Sequence, residues 1–224
     1  MIAGVDGCKG GWIACCEREG RVWFEQHTHL INLLRAYNDI AMVAIDMIIG
    51  LPSVAQKGGR AADKAARQKL GKRAASVFSA PCRAAVYAEN YPDSLRASRE
   101  SGPDGVGLSK QTFHLFPKVK EVDELLRQHP EWRVRMLEVH PELSFWEMNG
   151  RREVPSKHDP AGKKKRVCLL RQQGIRSDAS SLHKDHLDAG ACLWSARRVV
   201  AGQHCFVPAV TDLDSVGLAM RIAW

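Results

Sequence analysis

No stretch of this 224-residue sequence approaches the roughly 20 consecutive apolar residues that a membrane-crossing helix needs, and Met1 to Gly11 lack a basic flank leading into a long apolar run. A membrane span and a secretory leader are therefore not expected, and the cytoplasm is the expected location. Paired cysteines are missing too. The seven thiols, Cys8, Cys15, Cys16, Cys82, Cys168, Cys192 and Cys205, show no C-x-x-C pair, which argues against zinc or dithiol redox motifs and for reduced, mostly structural cysteines. Acidic residues are in the minority, 25 against 33 Lys plus Arg, and the resulting +8 favours a polyanionic partner. Repeats and low-complexity tracts are absent, and the chain is long enough for one substantial core, so a single domain over 1–224 is expected.

What is present is an alternation of short apolar runs with turn residues. Ile2 to Val5, Trp12 to Cys16 and Arg21 to Gln26 read as three antiparallel strands, separated by turns at Gly7, Gly10, Gly11 and at Glu19, Gly20. Leu30, Leu33 and Leu34 have helical spacing. Ile40 to Ile45 is almost wholly apolar, as a strand covered on both faces should be. A helical insertion is expected over about 53–132, with helices at Ala61 to Leu70, Arg83 to Glu89 and Glu121 to Gln128. Val134 to Val139 reads as strand five, Pro141 opens a helix, and Lys163 to Gln173 and His183 to Val200 are the closing helices. That order is the order of the ribonuclease H-like fold: an α/β, five-stranded mixed sheet with helices on both faces and strands one, four and five parallel.

In such a sheet, side chains distant in sequence meet at the carboxyl ends of the parallel strands. Asp6 ends strand one, Asp46 ends strand four, and Glu138 lies near the end of strand five. Asp185 and Asp188 are three residues apart near the start of the last helix, where the dipole favours negative charge, and Ala189, Gly190 and Ala191 allow close approach to the sheet. Taken singly, Asp6 reads as a turn residue, Asp46 as a cap, Glu138 as an exposed strand residue and the helix pair as first-turn acids. Their joint placement points elsewhere. Carboxylates sharing one pocket repel unless cations compensate them, and hard oxygen ligands suit Mg²⁺ or Mn²⁺. Such ions activate water and stabilise the leaving oxygen in phosphodiester cleavage.

Several blocks of sequence resemble the domain of unknown function 429 family, described as predicted nucleases of ribonuclease H-like fold. These are G-V-D-G-C-K-G-G-W at 4–12, I-D-x-x-I-G-L-P at 45–52, L-G-K-R-x-x-S-V-F-x-A-P at 70–81 and S-K-Q at 109–111. K-V-x-E-V-D at 118–123, E-V-H-P-E at 138–142 and D-x-x-D-A at 185–189 complete the set. A more distant similarity is to Holliday-junction resolvases, whose metal site combines strand-one and strand-four acids with two helix acids. The resemblance implies a metal-dependent nuclease with Asp6, Asp46, Glu138, Asp185 and Asp188 as catalytic metal ligands and nucleic acid as the partner.

Around this set, Arg60, Lys64 and Arg67 form one stripe of a helix, with Lys72 and Arg73 at its end. With Lys9, Lys110, Gln111 and His140 they are the candidate substrate contacts, although a charged stripe also reads as a solvated face and His140 as a hydrogen-bonded structural residue. Trp12, Trp23, Trp132, Trp146 and Trp194 sit in apolar patterns and read as core. Two other classes fit the strand order. One is a phosphotransferase of the actin and sugar-kinase kind with Gly7, Gly10 and Gly11 cradling phosphates, which normally needs two such domains unless a homodimer supplies the second. The other is a nucleic-acid-binding protein without catalysis.

Overall fold

The computed structural model describes residues 1–176 and 184–224. The chain opens with β1 (Ile2–Cys8), β2 (Gly11–Arg18) and β3 (Arg21–His27), continues through α1 (Leu30–Ala36), and returns as β4 (Met42–Asp46). Next come α2 (Ala61–Leu70), a 3₁₀ turn at Gly71–Ser76, α3 (Arg83–Tyr87), α4 (Tyr91–Glu100), α5 (Lys110–Phe113), α6 (Phe116–Gln128) and a second 3₁₀ turn at Pro130–Trp132. The chain then forms β5 (Met136–Glu138), α7 (Pro141–Met148), α8 (Pro160–Gln172), α9 (Lys184–Val200), β6 (Phe206–Leu213) and β7 (Ala219–Ala223). The five-stranded sheet has the order β3-β2-β1-β4-β5. β1 and β2 are antiparallel, as are β2 and β3, and β1, β4 and β5 run parallel. This is the ribonuclease H-like α/β arrangement, with the helical segments α2 to α6 inserted between β4 and β5 as expected.

Alternation along the strands sends side chains to two cores. Val5, Val43 and Ile45 meet Leu30 and Leu33 of α1 and Val119, Val122 and Leu126 of α6 on one face. On the other face, Ile13 and Cys15 meet Leu187 and Leu193 of α9 together with α8, and Ala44 meets Cys192 and Ala196. The α9 approach is close enough that a Cβ built on Gly4 would lie 1.9 Å from the Leu193 nitrogen and 2.4 Å from the Ala189 carbonyl oxygen. Backbone cannot yield as a flexible side chain can, so Gly4→Ala is expected to cost at least about 1–3 kcal/mol. A thermal melt would show it, and an unchanged midpoint would mean that α9 packs less tightly than this.

The glycine turn between β1 and β2 has a steric explanation. Gly11 sits at φ +143, and a Cβ there would fall 2.1 Å from the His27 carbonyl oxygen. The hairpin itself thus accounts for this glycine, with no phosphate required.

Two expectations differ from the structure. Helices do not close the chain: β6 and β7 form an antiparallel pair, and Ala223 bridges Val139 just beyond β5. Pro208 inside β6 and the exposed Val210 and Leu213 hid the strand, because an edge strand with proline lacks clean alternation. α4 and α5 lie in sequence read as loop, although Asn90 and Ser109 cap them by accepting from the Asp93 and Thr112 amides. The start of the last helix at His183 lies outside the described residues, and α9 is described from Lys184. All seven cysteines are free thiols, and among the described residues no helix is long and apolar enough to cross a membrane.

Candidate metal centre

Asp6 and Asp46 are register partners on adjacent parallel strands, so their side chains leave the same face of the sheet. It is the face that α9 covers. Two positions down β1 the partners are Gly4 and Ala44, where the helix backbone rests. The same close approach delivers Asp188, one residue before Ala189, over the strand ends. One carboxylate oxygen from each of Asp6, Asp46 and Asp188 lies within 4.8 Å of the others. Asp6 is 8% exposed and Asp188 2%.

Three acids packed this way cannot all stay ionised without cost. Burial first, and then the charges of Asp46 and Asp188, hold the Asp6 carboxyl well above its usual range. Asp46 is pushed up to about 7 by burial and by Asp188. Asp188 is also raised by burial, against the opposing pull of Lys157. The Lys157 ammonium donates to Asp188 Oδ2 at 2.5 Å. The donor set is thus three hard carboxylate oxygens with a net negative charge that one ammonium does not cancel, and it fits a hard divalent cation.

Not all of the expected acids join the cluster. Glu138 pairs in register with Ile45, not Asp46, and the period of two turns it toward the opposite face. There its carboxylate is bidentate to the Arg60 guanidinium at 2.6 and 2.8 Å and accepts from the Ile49 amide at 2.7 Å. Asp185 stays half-buried at the lip of the cleft, where its charge adds to the raising of Asp6.

The expected basic contacts also divide. Arg60 is 2% exposed and committed to Glu138, Asp63 and the Ile49 carbonyl, so it is an internal counterion and not a surface cation. Arg67 donates to the carbonyls of Val77 and Gly58 and to the Ser79 hydroxyl. Lys9, Lys64 and Lys110 are exposed and do not line the cleft, whereas Arg73, Gln111 and His140 do. Both ring nitrogens of His140 are in use: Nδ1 accepts from the Glu142 amide and Nε2 meets the Ser76 carbonyl, each at 3.2 Å. With Nδ1 an acceptor, Nε2 carries the proton, and burial lowers the pKa so that the ring stays neutral. His140 is a capping residue of α7.

The cleft above the acids encloses about 680 Å³. Besides Arg73, the lysines on its walls among the described residues are Lys118, Lys157 and Lys184, none of which was read from sequence as a substrate contact. Lys118 is held by the Gly11 carbonyl and lies 4.6 Å over the Trp12 ring. Lys157 occupies a loop, and no periodic or local pattern separates it from any other lysine. A buried acid trio without enough counter-charge was the available hint that such a partner exists.

Glu142 was also missed. It is bidentate to the buried Arg166 at 2.8 and 2.9 Å, and its charge adds to the raising of Asp46 and Asp188.

No curated protein and no solved structure matches the chain. The family model for proteins of unknown function named DUF429 matches residues 4–212, which takes in β1, β4, α9 and all three clustered acids, and the chain belongs to that family.

Proposed function

We propose that this protein is a metal-dependent nuclease that hydrolyses phosphodiester bonds of nucleic acid, with Mg²⁺ or Mn²⁺ held by Asp6, Asp46 and Asp188. The observation that carries the reading is the meeting of those three carboxylates, from β1, β4 and α9, at the floor of a cleft with cations on its walls. A divalent ion bound there supplies water activation and charge stabilisation at the leaving oxygen. The chain supplies the rest. Two rigid strand ends and one helix fix the three oxygens before any ligand arrives, so little reorganisation accompanies binding. Arg73, Lys118 and Lys184 offer cations to phosphate oxygens along the walls. Lys157 opposes the rise that burial imposes on Asp188 and so favours its ionised, ligating form. Asp185 adds a further negative charge on the wall of the same cleft. The overall charge of +8 attracts a polyanion, while the acids confine the negative potential to one spot.

The test uses labelled single-stranded, duplex, hybrid and branched nucleic acids with Mg²⁺, Mn²⁺ or EDTA, for the protein and its Asp46→Asn variant. Cleavage that needs metal and disappears in the variant is expected. Salt-dependent binding of the same substrates with no cleavage under any condition would replace the nuclease with a binding protein.

A further inference from the structure

A second pocket, of about 330 Å³, opens beside the acidic cleft and shares Val77, Phe78 and Gln111 with it. Its size lies at the lower end of small-molecule sites, roughly 300–1,000 Å³. Its chemistry differs from that of the cleft. Among the described residues no carboxylate or lysine lines it, and the one cation among them, Arg67, spends its guanidinium on the carbonyls of Gly58 and Val77 and on Ser79. Ser109 and Thr112 satisfy each other at 2.9 Å.

What remains available is neutral and flat-binding. Phe78 is 37% exposed, and it stacks on no other ring among the described residues. Gln56 and Gln111 are exposed, and their side-chain amides, each with two donor hydrogens and an acceptor oxygen, make no hydrogen bond within the protein among the described residues, so they are open to a ligand from solvent. An unstacked aromatic face with two unpaired amides in a pocket without free charge matches the face and edge of a nucleobase. It does not match a phosphate or a carboxylate.

We infer that this pocket holds an unpaired base of the substrate, stacked on Phe78 and read along its edge by Gln111, with the adjoining phosphodiester in the acidic cleft. The inference rests on the nuclease reading for what occupies the cleft, and it narrows the substrate to single strands, splayed ends or nucleotides. A base still paired in a duplex offers neither its face nor its Watson–Crick edge to such a pocket.

The experiment is equilibrium binding in EDTA, followed by fluorescence, of a 2-aminopurine mononucleotide, a short single strand carrying 2-aminopurine, and the same strand annealed into a duplex. The protein is expected to bind the mononucleotide and the single strand with quenching, and the strand more tightly than the duplex. Phe78→Ala should weaken binding about tenfold or more and remove the quench. Gln111→Ala should weaken it and shift the preference among bases. Absence of binding, tighter binding of the duplex, or quenching that survives Phe78→Ala would overturn the pocket. Base binding by a protein that cleaves nothing would sink the nuclease and leave the pocket standing. Cleavage indifferent to Phe78 would do the reverse.

Discussion

Arg60→Met should lower the stability of this protein by about 3–5 kcal/mol, the range found when one partner of a buried ion pair is removed. For a chain of this length that is a fall of roughly 10 °C in midpoint. The reason is the company Arg60 keeps. Its guanidinium reaches Asp63 at 2.7 Å and Glu138 at 2.6 Å, with all three side chains almost wholly buried. The trio carries one excess negative charge while Arg60 is present, and burial already raises Glu138 above its usual range despite the pairing. Without Arg60, two carboxylates would face each other out of water.

Glu138→Gln leaves Arg60 and Asp63 as a neutral pair and should cost less, near the 1.5–3 kcal/mol of a hydrogen bond to a charged group. Arg60→Met with Glu138→Met should recover part of the loss, short of the full amount because Asp63 stays buried without its counterion and the Ile49 amide loses its acceptor. Denaturant unfolding of the parent and the three variants measures these differences. Equal losses for the two single substitutions would mean that the trio is not balanced in this way. A fall in Mn²⁺ affinity of folded Glu138→Gln comparable to that of Asp46→Asn would return Glu138 to the metal.

Glu138 also marks how far the sequence could be read. That an acid stands at the end of each parallel strand was legible, because apolar runs broken by a single charge are conspicuous at Ile45, Asp46 and at Val5, Asp6. Which face each acid takes depends on register. A shift of one residue along β5 exchanges the metal face for the Arg60 face, and the interrupted pattern of Val134 to Val139 does not fix it. The core strands and α9 were legible for the opposite reason, since long periodic or wholly apolar segments leave one solution. The stripe Arg60, Lys64, Arg67 was read with correct helical spacing, yet the first member lies inside the protein, because i, i+4, i+7 names a helix face without saying what covers it. The β6–β7 pair and α4 escaped because edge strands and capped polar helices carry little hydrophobic signal. α4 buries only Ser94 and Ser98.

The acids themselves supply the other large effect. In EDTA at pH 8, Asp46→Asn should be more stable than the parent protein by a few kcal/mol, and in saturating Mn²⁺ the order should reverse. In the folded state Asp46 titrates at about 7, against about 3.9 in an unfolded chain. Between those values the folded state binds more protons than the unfolded one, so stability falls as pH rises. The contribution is complete below about pH 4 and is lost as pH passes 7. Asparagine has no such titration, so the two proteins should converge toward pH 5 and separate toward pH 8 in metal-free melts. His140, whose displaced pKa does not depend on Asp46, cancels in the difference, whereas Asp6 is raised in part by the Asp46 charge and is relieved in the variant, which acts in the same direction. Metal reverses the order because a ligand at a hundred times its dissociation constant adds about 2.7 kcal/mol to the protein that binds it, and the variant has lost one of three oxygens. A variant less stable than the parent in EDTA at pH 8 would show that the Asp46 charge is already satisfied, by Lys157 or another group. The case for a cation at the meeting of β1, β4 and α9 would then lose its electrostatic basis.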